Sequence, residues 1–400
     1  MAGLVSRRKF FGTAAATVGA ISVSSRPDLF AQGTQATATT QRFGGNDADY
    51  DRMVKLASNE NNWGPPEAVM KAMNGAWKYA NRYGYPDGNV VEAIAEHHGL
   101  KPENVLLTAG SGEVLQVVGT TFLAGGKKVI GADPSYGSVY QHATNIKAEA
   151  IKLPLLKDYR QDIPGMIEAA NKNAAQIGFF YLCNPNNPTG VVVTAKEVKQ
   201  VVEGIPKDMP ILIDEAYHHF VDDPAYGTAT PYILEGRPVI VARTFSKIAA
   251  LAAMRIGYAL APAEIVRKMR PYSMGSVNAL AKWGAVASLK DTAGQADVRK
   301  KIIDLRNKTT RDLEAYGYPT IPSQTNFFMV SLEARTVQPV IQEFREKGIL
   351  VGRPFPPMIN HLRVSIGTAE DTGQVPQGLQ GNLPEEDRID DGPRLGFLLV

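Results

Sequence analysis

Ile211-Leu212-Ile213-Asp214-Glu215-Ala216-Tyr217 is a run of three apolar residues closed by two acids. An apolar run without alternation belongs to a strand buried on both faces, and a carboxylate at its end is costly to bury without a partner. Working outward, similar short runs recur at 105–108, 129–132 and 177–182 on one side and at 239–243 and 256–261 on the other, with helical stretches between them. This alternation predicts an α/β protein: a large domain with a mostly parallel sheet between helices. Beyond Pro271 a long helical stretch, 295–316, precedes two candidate strands, 327–331 and 362–366, which predicts a smaller α+β domain. The expected organisation is an N-terminal segment joining the small domain over 51–75, the large domain over 76–275 and the small domain over 276–368. No internal repeat is visible.

The 400 residues are 44% hydrophobic and 21% charged, the make-up of an ordinary globular protein. With a net charge of +3 and scattered basic residues, nothing points to nucleic acid, and no long apolar run beyond the N-terminus points to a membrane span. Small molecules are the expected partners. A single cysteine, Cys183, excludes an intramolecular disulfide and a cysteine-rich metal site; its place in an apolar run predicts a buried strand residue. The pairs His97-His98 and His218-His219 lack metal-ligand spacing, and no metal is expected.

Ser6-Arg7-Arg8-Lys9-Phe10-Phe11 precedes a stretch of small residues over 12–25. That is the layout of a twin-arginine export signal, expected over 1–31 with cleavage near Ala31 and a flexible leader over 32–50. The mature protein is then periplasmic, without stable membrane association.

In this architecture sites gather where strands end and helices begin. Thr244-Phe245-Ser246-Lys247 follows the run 239–243, with Arg255 eight residues beyond the lysine. A desolvated amine flanked by hydroxyls and an arginine has what a cofactor aldehyde and its phosphate need. Asp214 is suited to keep a pyridine nitrogen protonated, and Tyr217 could donate to the ring's phenolic oxygen. Asn184-Pro185-Asn186-Asn187-Pro188-Thr189-Gly190 is a turn that offers Asn187 to the same oxygen. Gly110-Ser111-Gly112-Glu113 opens a helix, whose bare amides attract phosphate.

Together, in order and spacing, these segments resemble the fold-type I pyridoxal-phosphate enzymes of the class I and II aminotransferases, the histidinol-phosphate aminotransferase subgroup above all. The resemblance runs from about Leu56 to Thr368. It implies transfer of an amino group between an amino acid, or a histidinol-phosphate-like amine, and a 2-oxo acid. It implies pyridoxal 5'-phosphate bonded to Lys247, Asp214 on the pyridine nitrogen, and Asn187 with Tyr217 on the ring oxygen. Tyr136, in Asp133-Pro134-Ser135-Tyr136-Gly137, would stack on the ring. Ser111, Gly112, Thr244, Ser246 and Arg255 would hold the phosphate with Glu113 beside them, joined by Tyr85 from a second subunit, so that a homodimer is expected. Arg363, in Leu362-Arg363-Val364-Ser365-Ile366-Gly367-Thr368, matches the family's carboxylate arginine, a planar fork for bidentate contact. The stretch Leu56-Ala57-Ser58-Asn59-Glu60-Asn61-Asn62-Trp63-Gly64-Pro65 matches the segment that covers the site. Trp63 stands there where the subgroup often has a tyrosine facing the substrate phosphate, which argues against histidinol phosphate; Arg353 is placed in the side-chain pocket.

Two alternatives fit the same residues: a decarboxylase, lyase or racemase on this fold, or a periplasmic protein that binds the cofactor or an amino acid without turnover. The tail over 369–400 departs from the family pattern. Residues 373–400 are rich in Gly, Pro and Asp and show no helical period. Codons exist for 373–383 that, read one base later, give Gly-Arg-Phe-Leu-Lys-Ala-Phe-Lys-Glu-Ile-Phe, an amphipathic helix. A frameshift is therefore the expectation, and resequencing the gene through codon 373 tests it.

Overall fold

The computed structural model describes residues 47–380. The expected export signal, the leader up to residue 46 and the tail from residue 381 lie outside the described residues. One sheet contains β2 (Val105–Thr108), β3 (Lys128–Asp133), β4 (Ala150–Pro154), β5 (Ile177–Cys183), β6 (Ile211–Asp214), β7 (Val239–Thr244) and β8 (Gly257–Leu260), in the order β2-β8-β7-β6-β5-β3-β4. From β7 to β4 all neighbours are parallel, while β8 runs antiparallel to both β2 and β7. The connection from β7 to β8 holds a turn and no helix, so the chain returns antiparallel instead of crossing over.

Alternate residues of each central strand serve opposite faces. Ile211, Ile213, Val239 and Val241 belong to one hydrophobic core, and Leu212, Ile240 and Ala242 to the core on the other face. All residues of β5 and β6 are buried, including Cys183. The first of these cores also takes in Val69 and Met73 of the helix Glu67–Ala76, and Ala281, Ala285 and Val286 of the helix Ala279–Lys290. Both helices thus pack with the large sheet, although one precedes residue 76 and the other follows residue 275.

A smaller α+β unit is built from β9 (Thr320–Ile321), β10 (Phe327–Ser331) and β12 (His361–Ser365), antiparallel with β10 in the middle. Beside it β1 (Val54–Leu56) pairs parallel with β11 (Ile349–Val351). Its core gathers Leu56, Phe327, Phe328, Phe344, Leu362 and Val364, and it reaches Tyr217, Phe220 and Ile248 from the large sheet. Among the described residues no helix is long and apolar enough to cross a membrane.

The expectation of no helical period from Gly373 onward is corrected as far as Gln380: Ala369–Gln380 is helical. Thr372, Val375 and Leu379 are fully buried, a spacing of three and four residues that forms one helical stripe despite Pro376. Gly378 is required there, because a Cβ would stand 2.6 Å from the Phe344 ring. The helix thus forms from the sequence as it stands, up to Gln380.

Candidate active site

The parallel register brings the ends of β5, β6 and β7 to one edge of the sheet, with Cys183 beside Asp214 and Asp214 beside Ala242. Asp214 is 3% exposed and accepts a hydrogen bond from the Ala216 N–H at 3.1 Å. Burial pushes its carboxyl up to about 6, against the opposing pull of that N–H and of Lys247. The Lys247 amine donates to the Ser58 carbonyl at 3.2 Å and lies 5.5 Å from the Tyr217 ring centre. Burial, and then the Arg363 charge, bring the amine down to about 8, while Glu60 opposes them.

On the other side of the lysine runs a continuous polar chain. Arg363 donates to Asn187 Oδ1 at 2.8 Å and to the Ala57 carbonyl at 2.7 Å. Asn187 Nδ2 donates to the Tyr217 hydroxyl at 3.3 Å, and Asn59 Nδ2 donates to the same oxygen at 3.0 Å. Burial raises the Tyr217 hydroxyl pKa, opposed by Arg363 and Asn59. Arg363 is 7% exposed, its Nε has no partner, and burial lowers its guanidinium to about 10. Phe355 lies between two guanidiniums, 4.5 Å from Arg363 and 4.4 Å from the exposed Arg353. Trp63 packs against the core of the smaller unit.

A third group forms a cradle at the N-terminus of the helix Ser111–Phe122. Thr244 Oγ1 donates to Ser246 Oγ at 2.8 Å, and Arg255 donates to the same Oγ at 3.4 Å. Gly110 and Gly257 keep this space open, since a Cβ on the first would run into the Arg255 guanidinium and one on the second would stand 2.5 Å from the Ser111 nitrogen. Hydroxyls, a guanidinium and uncapped helix amides brought together suit a phosphate. With the desolvated Lys247 and the buried Asp214, this donor set fits a pyridoxal phosphate.

Some expectations change. Glu113 does not face the cradle with a free carboxylate: Oε2 accepts the Ala109 N–H at 2.5 Å, and Oε1 accepts from Ser273 Oγ at 2.9 Å and the Met274 N–H at 2.8 Å. Both oxygens are engaged in holding the strand-to-helix turn to a distant loop. Within one chain Tyr85 is not brought to Lys247; it donates to the Val277 carbonyl at 3.1 Å and stacks on Tyr79. Tyr136 is half-buried beside the core that contains Cys183, and its carbonyl accepts from Tyr181. Within each histidine pair the rings are in contact, with centroids 4.8 Å apart for His97 and His98 and 3.7 Å for His218 and His219. Among the described residues no group of three or more His, Cys, Asp or Glu is arranged to hold a metal.

Sequence reasoning missed how Asn59 is held. Its backbone takes φ +55°, its N–H donates to Ser365 Oγ at 2.8 Å, and Asn326 Nδ2 holds its carbonyl at 3.0 Å. The available signal was the run Asn59-Glu60-Asn61-Asn62, four polar residues between β1 and the first long helix.

The model of the family "Aminotransferase class I and II" matches residues 51–379. The chain belongs to that family. The aminotransferase is 34% identical over 325 residues to a histidinol-phosphate aminotransferase of Moorella thermoacetica, covering 79% of this chain and 82% of that one. It is 33% identical over 340 residues to another of Caldicellulosiruptor saccharolyticus, covering 82% and 92%. Its fold matches the crystal structure of the histidinol-phosphate aminotransferase of Sinorhizobium meliloti in complex with pyridoxal 5'-phosphate, with a TM-score of 0.75 and 23% identity over 87% of this chain and 99% of that one. The aminotransferase is a pyridoxal-phosphate-dependent transaminase.

Proposed function

We propose that the aminotransferase takes an α-amino acid as donor and a 2-oxo acid as acceptor, both held by their carboxylate on Arg363. The observation that carries this reading is a buried guanidinium with an unpartnered Nε and only neutral oxygens as partners. Such a charge is completed by a planar anion. Lys247 is the bonding lysine, and its Nζ takes the proton from the substrate's alpha carbon and returns it. An amine lowered to about 8 is partly neutral near neutral pH, as a proton acceptor must be. When bound, pyridoxal phosphate supplies the electron sink for the breaking bond. Asp214 would meet the pyridine nitrogen, Asn187 and Tyr217 would hold the ring oxygen, and Tyr136 would stack on the ring. Ser111, Gly112, Thr244, Ser246 and Arg255 would hold the phosphate.

Trp63, on the covering segment, and Phe355, packed on Arg363, would shape the side-chain end for an aromatic amino acid, and a donor with free access to the periplasm, aromatic or basic, fits the proposed export. A second reading, a histidinol-phosphate-like amine, is supported by Arg353 across Phe355 from Arg363 and by the activity named for the relatives. The absorbance spectrum of the purified mature protein tests both, with Lys247→Ala beside it. A visible band bleached by an amino acid and restored by a 2-oxo acid is the expected result. Bleaching by histidinol phosphate alone favours the second reading, and a band that no amine changes overturns both.

The active form is proposed to be a homodimer, in which Tyr85 of the partner subunit completes the phosphate site. Trp77, Tyr83, Tyr272 and Met274 stand exposed, as an apolar contact surface requires. Sedimentation at micromolar concentration tests this; a monomer with full activity overturns it. Export by the twin-arginine pathway is supported by Arg7-Arg8 ahead of Phe10-Phe11. Fractionation of cells is expected to find the protein in the periplasm and Arg7→Lys with Arg8→Lys in the cytoplasm; equal distribution of the two overturns it.

A further inference from the structure

The helix Thr292–Ala315 carries Arg299 and Arg306 two turns apart, hence on one face. Both point at the short turn His218–Phe220 that follows Tyr217, where they meet three successive carbonyls. Arg299 donates through Nε to the His219 carbonyl at 2.9 Å and through its second amino group to that of Val221. Arg306 donates to the Phe220 carbonyl at 3.3 Å and to the Asp222 carboxylate at 2.7 Å. It also donates to the Thr325 carbonyl at 3.4 Å, next to Asn326. Asn326 in turn holds the carbonyls of Asn59 and Glu60, and Asn59 donates to the Tyr217 hydroxyl. Gln324 Oε1 closes the group by accepting the N–H of Asp222 and of Asp223.

We propose that Arg306 is a positioning residue for Tyr217: it fixes the backbone beyond the ring and, through Thr325 and Asn326, the segment that holds the hydroxyl. Two paths from one guanidinium therefore reach opposite ends of the same side chain. Arg306 is 2% exposed. The ion pair to the partly exposed Asp222 adds little to stability by itself, whereas the directed donors of a rigid plane have no apolar substitute. The long helix ties the smaller unit to the turn of Asp214 and Tyr217, so a displacement of that unit is felt at the ring oxygen.

This inference rests on the assignment of Tyr217 to the ring oxygen, and the test separates the two. In the mature holoenzyme, Arg306→Lys, Arg306→Met and Tyr217→Phe are compared by pH titration of the visible cofactor band, by cofactor affinity from equilibrium dialysis, and by kcat and KM. In the cofactor-free protein, hydrogen exchange of residues 218–224 is measured. Tyr217→Phe is expected to move the band's pH midpoint by about 0.5 or more. Arg306→Met is expected to move it in the same direction, to lower kcat about tenfold with little change in KM, and to speed exchange at 218–224; Arg306→Lys is expected to recover part of each. If Arg306→Met does not fold, Asp222→Asn, which weakens the hold on the same guanidinium, takes its place with a smaller shift in the same direction. A midpoint moved by Tyr217→Phe but by none of the Arg306 or Asp222 variants overturns the positioning role alone. A midpoint that Tyr217→Phe leaves in place overturns the ring-oxygen assignment and this inference with it.

Discussion

Asp214 and Glu215 are neighbours in the chain and opposites in their surroundings. Successive residues at a strand end face opposite sides of the sheet, so Asp214 looks toward Lys247 while Glu215 looks toward the core behind. There Glu215 meets Arg243 at 2.6 Å, accepts the Ala229 N–H at 2.8 Å and the Thr228 hydroxyl at 2.9 Å, and is wholly buried. The Asp214 side has another buried arginine, Arg363, but among the described residues neither Asp214 nor Arg363 forms an ion pair. One side of β6 pairs its carboxylate with a guanidinium within the chain, with Arg243 Nε left without a partner. The other leaves a carboxylate, an amine and a guanidinium to be completed by what binds, and the difference marks which face does chemistry.

The largest effect is expected from breaking the self-sufficient side. Arg243→Met leaves Glu215 buried without its cation and should cost about 3–5 kcal/mol of stability, read from denaturant unfolding. Turnover per folded molecule should stay within about threefold of the parent. Adding Glu215→Leu should restore much of the stability; no recovery in the double variant would show that the two side chains do not act as a pair.

On the open side the same kind of change should act in reverse. Arg363→Met removes a buried charge that no carboxylate of the chain offsets, so stability should hold or rise. The second-order rate constant with an amino acid should fall on the order of 10²-fold, about 3 kcal/mol, through loss of the carboxylate fork. Steady-state kinetics and a melting curve on one preparation check both. A loss of stability equal to that of Arg243→Met would erase the contrast.

Asp214 gives a pH-dependent version of the contrast. Its carboxyl is raised from 3.8 to about 6 in the cofactor-free protein, so the folded state holds the proton more tightly than the unfolded state. Stability therefore falls as pH rises from about 4 to about 6, and the full penalty persists above. Cofactor-free Asp214→Asn should be more stable than the parent at pH 8 by about 2–3 kcal/mol, with the difference vanishing near pH 3.5. Denaturant melts at several pH values measure it, and a constant difference across pH would contradict the assignment.

How much of this was legible in the sequence follows from the range of the forces involved. The strands of the large sheet could be read because apolar runs end abruptly in polar residues, and the same breaks exposed Asp214, Asn187, Thr244 and Lys247. Arg363 was legible only through its motif. The Asn59–Ser365 contact spans 306 residues and Glu113–Ser273 spans 160, so no local pattern announces either, and Glu113 was placed with the phosphate because its position beside Ser111 and Gly112 was all that could be seen. Glu215, directly after β6, and Arg243, on β7, lie 28 residues apart; their pairing depends on a register that single-strand patterns do not contain. The helix Ala369–Gln380 was obscured for a different reason. Its Gly and Pro residues argue against helix by propensity, and packing of Val375 and Leu379 on the core overrides them.

The smallest effect tests how finely the closed side is balanced. Thr228 Oγ1 stands between the charges, donating to Glu215 and accepting from Arg243 at 2.8 Å, with Thr230 3.0 Å away. Thr228→Ala removes that bridge yet leaves the direct ion pair, so the loss should be about 1 kcal/mol, visible as a shift of the unfolding midpoint at unchanged slope. Thr228 is exposed as a residue, so water can take the place of the hydroxyl and keep the loss small. A loss near that of Arg243→Met would mean that the hydroxyl, more than the ion pair, makes this face self-sufficient. Cofactor affinity and kcat should not change, because Thr228 acts on the face of β6 turned away from Lys247.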